Sequence, residues 1–259
     1  MLEQIKVDLL RMKKSKLTWF LILAQIVMSV LGTVFLISDN VYYMDPNPPE
    51  IICLEALMMF GMLTGFVCAA VSVKLTILEK KVGILRNKIV IGVKRSSIFC
   101  SKVIVNYLFS VLLYAIHLIL VFAVCAVENQ GKFADSETIL KLSGIYLLWM
   151  LFFSIIVAII SLGYTHDVLS IIFSFGTICA MTLATGLLRN RIEMEKYKDT
   201  LILDVMKFLK KIDPYEYINI ENVPEAVANA FENSLIPALS MIILFFVIGC
   251  FVINRKEFD

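Results

Sequence analysis

The chain has 259 residues, 59% of them hydrophobic, with a mean hydropathy of +0.85. Soluble domains use apolar residues at roughly 45–50%, and their cores lack uninterrupted apolar runs of span length, so a water-soluble globular protein is excluded. The net charge of +2 gives no reason to expect a nucleic-acid partner; what carries information is the segregation of charge between apolar runs.

Residues 1–16 read as an amphipathic helix at a membrane surface, with Leu2, Ile5, Leu9 and Met12 in one stripe and Glu3, Gln4, Lys6, Asp8, Arg11, Lys13 and Lys14 facing away. The apolar run that follows is too long for a signal peptide and lacks a small-residue cleavage site. Spans are expected over 17–37, 51–73, 103–127, 142–163, 168–188 and 234–253. Each is about 20 residues, enough for a hydrocarbon core of ~30 Å. Within the second, Gly61 and Gly65 form a GxxxG pattern that lets another helix approach closely.

The segment 78–102 is the long basic stretch between two apolar runs. It carries Lys80, Lys81, Arg86, Lys88, Lys94, Arg95 and Lys102 against Glu79, and Gly83 and Gly92 punctuate it. Val82, Leu85, Ile89 and Val93 recur at three- and four-residue steps, which predicts a helix with one apolar and one basic face, then a break at Gly92 and a new helix capped at Ser96. The loops 38–50 and 128–141 are poor in Lys and Arg, whereas the N-terminal segment, 74–102 and the tail are rich in them. The positive-inside rule therefore places both termini and 78–102 in the cytoplasm; the membrane expected is the plasma (inner) membrane. The long loop 189–233 falls outside. There Tyr197, Leu201, Val205, Phe208 and Ile212 step as one helical stripe up to Pro214, and Val227, Ala230 and Phe231 suggest a second short amphipathic helix.

No GxxxxGK[ST] occurs, so the chain has no P-loop with which to hydrolyse ATP, and no HExxH, GxSxG or paired intramembrane carboxylates occur. The six cysteines form no CxxC and no Cys/His cluster, so no metal or disulfide framework is indicated. His117 lies mid-span, where a neutral imidazole bonded to a neighbouring helix is the simpler reading and a functional ionisable group the sharper one. Glu55 lies near the outer end of its span, and His166-Asp167 in an inner turn fits a helix cap as readily as a proton or metal site.

The pattern Glu79, Gly83, Arg86, Asn87, then Gly92-Val93-Lys94-Arg95, Ile98 and Ser101-Lys102 resembles the loop between spans 2 and 3 of ABC-2 type permeases, the membrane subunits of ATP-binding cassette exporters. The resemblance implies an all-α polytopic fold of the ABCG-like type: six transmembrane helices, an N-terminal interfacial helix, a cytoplasmic coupling helix in 78–102, and extracellular amphipathic helices in 189–233. It implies a partner ATPase that binds ATP and Mg, this chain binding no cofactor, and a second permease copy, identical or not. Glu79, Lys80, Gly83, Arg86, Asn87, Gly92 and Arg95 would form the ATPase interface. Met59, Phe60, Met62 and Phe66 of the second span, with Phe173 and Met181 of the fifth, would line a translocation cavity. Small permeases of this kind suggest amphipathic or antimicrobial peptides as cargo, as in lantibiotic-type systems. The residues alone leave other readings open: 1–16 as a generic anchor, 189–233 as a cover of the bundle, and the whole chain as an assembly factor or sensor that binds a soluble partner through 78–102.

Overall fold

The computed structural model describes residues 2–40, 48–128, 133–163, 169–170, 172–174, 176 and 223–255. Among these the chain is helical, in seven principal helices: α1 (Leu2–Lys14), α2 (Lys16–Asn40), α3 (Pro49–Lys81), α4 (Ile84–Val90), α5 (Arg95–Glu128), α6 (Ser136–Gly163) and α7 (Val223–Arg255). Four helical stretches, Lys16–Asp39, Arg95–Glu128, Ser136–Gly163 and Leu235–Arg255, are long and apolar enough to cross a membrane. The expected fifth span over 168–188 falls mostly outside the described residues. So do the helix expected around 197–212, the His166-Asp167 turn and Met181.

The helices are longer than the spans read from hydropathy. α3 has 33 residues and α5 has 34, about 50 Å each at 1.5 Å per residue. Both therefore overshoot a hydrocarbon core by several turns, and the overshoot carries Glu79 on one and Lys102 on the other. α3 begins with Pro48 in an extended conformation and Pro49 in its first turn, where a missing N–H costs nothing. α6 begins at Ser136 rather than 142, because Asp135 accepts the Glu137 N–H at 3.1 Å and stops the orphaned first turn from unwinding. The short helix expected around Val227 and Phe231 is not separate. α7 runs unbroken through Pro237, and its first turns are held by packing: Val227 is fully buried in a cluster with residues of α3, α5 and α6, and Phe231 packs on Gly144.

α6 is the central helix: 72% of its apolar stretch is buried, against 17% in α2 and 22% in α7. It packs on α3, α5 and α7, while α2 covers α3 and α5 from outside. One apolar cluster, around Phe99, Trp149, Phe152 and Ile253, fills the end of the bundle at α4; another, around Leu54, Leu57, Tyr146 and Val227, fills the far end. Glycines mark the closest approaches. A Cβ at Gly144 would lie 2.7 Å from the Phe231 ring, one at Gly249 would run into Phe99, and Gly65 faces Phe153 at ordinary contact distance. Gly65 of the GxxxG pattern thus serves packing within the chain.

His117 is fully buried where α5 meets α2 and α3. Its Nε2 is 3.4 Å from the Leu57 carbonyl oxygen and its Nδ1 2.9 Å from Ser29 Oγ. A carbonyl only accepts, so Nε2 donates to Leu57, while the Ser29 hydroxyl can either donate to Nδ1 or accept from it. The imidazole ties α5 to α2 and α3, the bond to a neighbouring helix that the simpler sequence reading expected.

Candidate functional site

α1, α4 and the ends of α3, α5, α6 and α7 meet at one end of the bundle, here called the base. The geometry of the basic loop begins with its two glycines. Gly83 has φ 73° and Gly92 φ 89°, the left-handed region that favours glycine. The Gly83 N–H donates to Lys80 O and its carbonyl accepts from Asn87 N–H, so the residue that ends α3 also starts α4. At the other end, Gly92 N–H donates to Ile89 O and Val93 N–H to Lys88 O, the paired bonds of a Schellman motif. The seven residues of α4 are thereby held as a discrete helix lying across the base. Of the expected apolar stripe, Leu85 is buried and Ile89 and Val93 pack against the core, but Val82 is 64% exposed because it caps α3 instead of joining α4. α5 starts at Arg95, one residue before the cap expected at Ser96.

Under α4 lies a cluster of five charges from four helices. Glu79 Oε1 accepts from Lys102 Nζ at 2.7 Å and from Arg11 Nη1 at 2.8 Å, and Lys88 Nζ is 3.5 Å from Oε2. Asp8 lies within ion-pair range of Lys102 (3.1 Å), Arg11 (3.6 Å) and Lys88 (3.7 Å), none aligned as a hydrogen bond. Glu79, Asp8 and Lys102 are buried. Burial alone would raise the Glu79 carboxyl, but the ammonium groups of Lys102 and Lys88 outweigh it and hold the pKa down at about 2. Asp8 goes the other way: burial raises it, Lys102 and Lys88 offset only part, and the neighbouring Glu79 charge adds to the rise. Glu79 is thus the ionised centre of the cluster and Asp8 its weaker partner.

Two further cations of the loop serve helix ends. Lys80 Nζ donates to the Ser161 and Leu162 carbonyls at 2.7 and 2.9 Å, satisfying the last turn of α6. Arg95 Nη1 donates to Asn254 O at 2.9 Å and does the same for α7. Carbonyls at a helix C-terminus lack intrahelical partners and carry partial negative charge, so a cation there is favourable on both counts.

The seven residues expected at a docking interface therefore separate. Glu79, Lys80 and Arg95 turn inward, Gly83 and Gly92 shape the backbone, and Arg86 and Asn87 point out to solvent. Sequence reasoning missed the apolar part of the outer surface: Val90 is 77% and Ile91 78% exposed, beside Arg86, Asn87 and Lys94. Ile91 and Val93 continue into an open groove of about 790 Å³ whose other wall is Leu2, Gln4 and Val7 of α1. It also missed Asp8 and Lys102, although both sit at helical spacing within buried stripes: Ile5, Asp8 and Met12 on α1, and Ile98, Lys102, Val105 and Phe109 on α5. Of the expected cavity residues, Phe173 is partly exposed; the side chains of Met59, Phe60, Met62 and Phe66, like Met181, lie outside the described set.

A family model described as ABC-2 type transporter matches residues 4–218 of the chain. No curated protein sequence matches it.

Proposed function

The chain belongs to the ABC-2 type transporter family, as its membrane permease component rather than its ATPase, and we propose that two such permeases form an export pathway driven by two ATPase chains docked on the outward face of α4. ATP and Mg would bind in those partners. The membrane would be the plasma (inner) membrane, with both termini and α4 on the cytoplasmic side, and the cargo amphipathic or antimicrobial peptides. The observation that carries the reading is the two-sided construction of the loop. Val90, Ile91, Arg86 and Asn87 are presented outward on a helix pinned by Gly83 and Gly92. Directly behind them, Glu79, Lys80, Lys88 and Arg95 bond α1, α5, α6 and α7. Lys88 ties α4 to Asp8 of α1 and Glu79 of α3, and Glu79, Lys80 and Arg95 carry the bonds on to α5, α6 and α7, so a push on α4 would have a bonded route into the bundle, the physical contact that coupling between two sites requires.

The hypothesis is tested with the chain and its ATPase expressed together. Arg86→Glu with Ile91→Asp should leave the permease folded, abolish co-purification of the ATPase or its permease-dependent turnover, and stop peptide export. Normal export by that variant would remove α4 from the coupling path.

A further inference from the structure

The two faces of α1 differ in how their charges are satisfied. Inward, Arg11 and Asp8 belong to the buried cluster. Outward, Lys6, Lys13 and Lys14 are exposed, Lys16 at the start of α2 joins them, and none of the four makes an ion pair among the described residues. Leu2, Leu9 and Leu10 are exposed among these lysines at 73, 37 and 55%, and Glu3 is the acid on that face. At the elbow between α1 and α2, the Trp19 indole N–H donates to Lys13 O at 2.8 Å while the ring stays 57% exposed. Beyond Trp19 the outward face of α2 continues as Phe20, Leu23, Leu31 and Phe35, all exposed and apolar. The lysines thus stand where an apolar, lipid-facing helix surface begins, at the level an interfacial tryptophan marks.

We propose that this face of α1, with Trp19, binds the headgroups of anionic phospholipids. The phosphodiester oxygens would accept from Lys13, Lys14 and Lys16, and the acyl chains would lie along Phe20 and Leu23. A soluble acidic protein would satisfy the lysines, but it would gain nothing from a surface that runs straight into the apolar face of α2, whereas a phospholipid matches both halves at once. A lysine near an anionic surface favours association by about fivefold, so the lysines together outweigh Glu3 and favour anionic over zwitterionic lipid. The inference stands on the membrane-embedded fold alone and does not require the transport reading.

Trp19 is its own reporter, since the chain has two tryptophans and the other, Trp149, is buried. Trp149→Phe is reconstituted into phosphatidylcholine vesicles that contain a minor fraction of brominated phosphatidylglycerol or, in parallel, brominated phosphatidylcholine. Bromine should quench Trp19 more effectively on the anionic lipid by at least the about fivefold that one lysine contributes. The excess should shrink at high salt and vanish when Lys6, Lys13, Lys14 and Lys16 are all changed to Gln. Equal quenching by the two lipids, or an excess that the four substitutions leave intact, overturns the proposal. If Trp149→Phe does not fold, the ratio of phosphatidylglycerol to phosphatidylcholine retained through detergent purification is compared between the native chain and the four-lysine variant. Equal ratios overturn the proposal again. So does a variant that keeps its lipids but loses the ATPase, which would make this face of α1 a protein surface.

Discussion

Arg86 and Arg95 stand on the same loop, carry the same charge, and meet different surroundings. Arg95 is half-buried and fastened to the last turn of α7, while Arg86 points into solvent beside Val90 and Ile91. The same division runs through the whole segment, with Glu79, Lys80, Lys88 and Lys102 at an inner base and Val82, Asn87, Ile91 and Lys94 at an outer tip. The lesson is that a basic loop is not uniformly available to a partner. Helix C-termini and buried carboxylates claim their cations first, and only what is left over can dock.

The sharpest way to break this comparison is Glu79→Gln, which keeps the shape and removes the charge that Lys102, Arg11 and Lys88 converge on. Removing one partner of a buried ion cluster costs about 3–5 kcal/mol. The melting temperature in detergent should therefore fall steeply for Glu79→Gln and stay within error for Arg86→Gln. Matching melts would mean that base and tip do not differ. Next in size is Ile91→Asp at the tip, expected to weaken ATPase binding by roughly 2 kcal/mol, about thirtyfold, without changing the melt. A titration of the purified ATPase that shows unchanged affinity would count against docking at the tip.

Gly92→Ala should cost about 1–2 kcal/mol, all of it from the left-handed backbone, since nothing lies within 4 Å of the added methyl. If a melt shows no loss, the glycine is not what ends α4. Lys80→Met and Arg95→Gln, each removing a cation from a helix end, should cost about 1 kcal/mol apiece. Their signature is faster amide exchange confined to the last turns of α6 and α7 respectively.

The dependence on pH separates the two carboxylates of the cluster. Glu79 is held at about 2 against an ordinary 4.5, so its contribution, roughly 3 kcal/mol, is complete above 4.5 and is lost as pH falls toward 2. Asp8 is raised above its ordinary 3.8, so its ionisation opposes folding as pH rises through the shifted value. Asp8→Asn should accordingly destabilise less than Glu79→Gln at neutral pH, and the acid-induced loss between 4.5 and 2 should disappear in Glu79→Gln alone. A reversed order of the two variants would mean that Asp8, not Glu79, is the centre of the cluster.

Much of this was legible in the sequence because it depends on local pattern. The apolar runs that became α2, α5, α6 and the latter part of α7, and the discrete helix between Gly83 and Gly92, follow from spacing and glycine chemistry. What was not legible depends on which helix ends come together. The uses of Lys80 and Arg95 are set by where α6 and α7 stop, and nothing in the loop encodes that. Hydropathy also shortens helices. It registers where a chain is apolar, so the span read for α3 stopped short of the polar turns that carry Glu79, and α1 was given an outward Asp8 because carboxylates ordinarily face water.

The bond from Arg95 to Asn254 spans 159 residues of sequence, and that span fixes an order of assembly. A ribosome adds about 5–20 residues per second, so Arg95 is made many seconds before the carbonyl it will cap. Through that interval α1, α3, α4 and α5 have all been synthesised and can close their charge cluster, while the guanidinium has no α7 to hold. Closure of the base is therefore a late event in biogenesis, and a chain stalled before α7 would carry a finished Glu79 cluster beside an unfilled Arg95. An α4 already formed beside an α5 not yet fastened to α7 is the species with which a prematurely bound ATPase would have to contend.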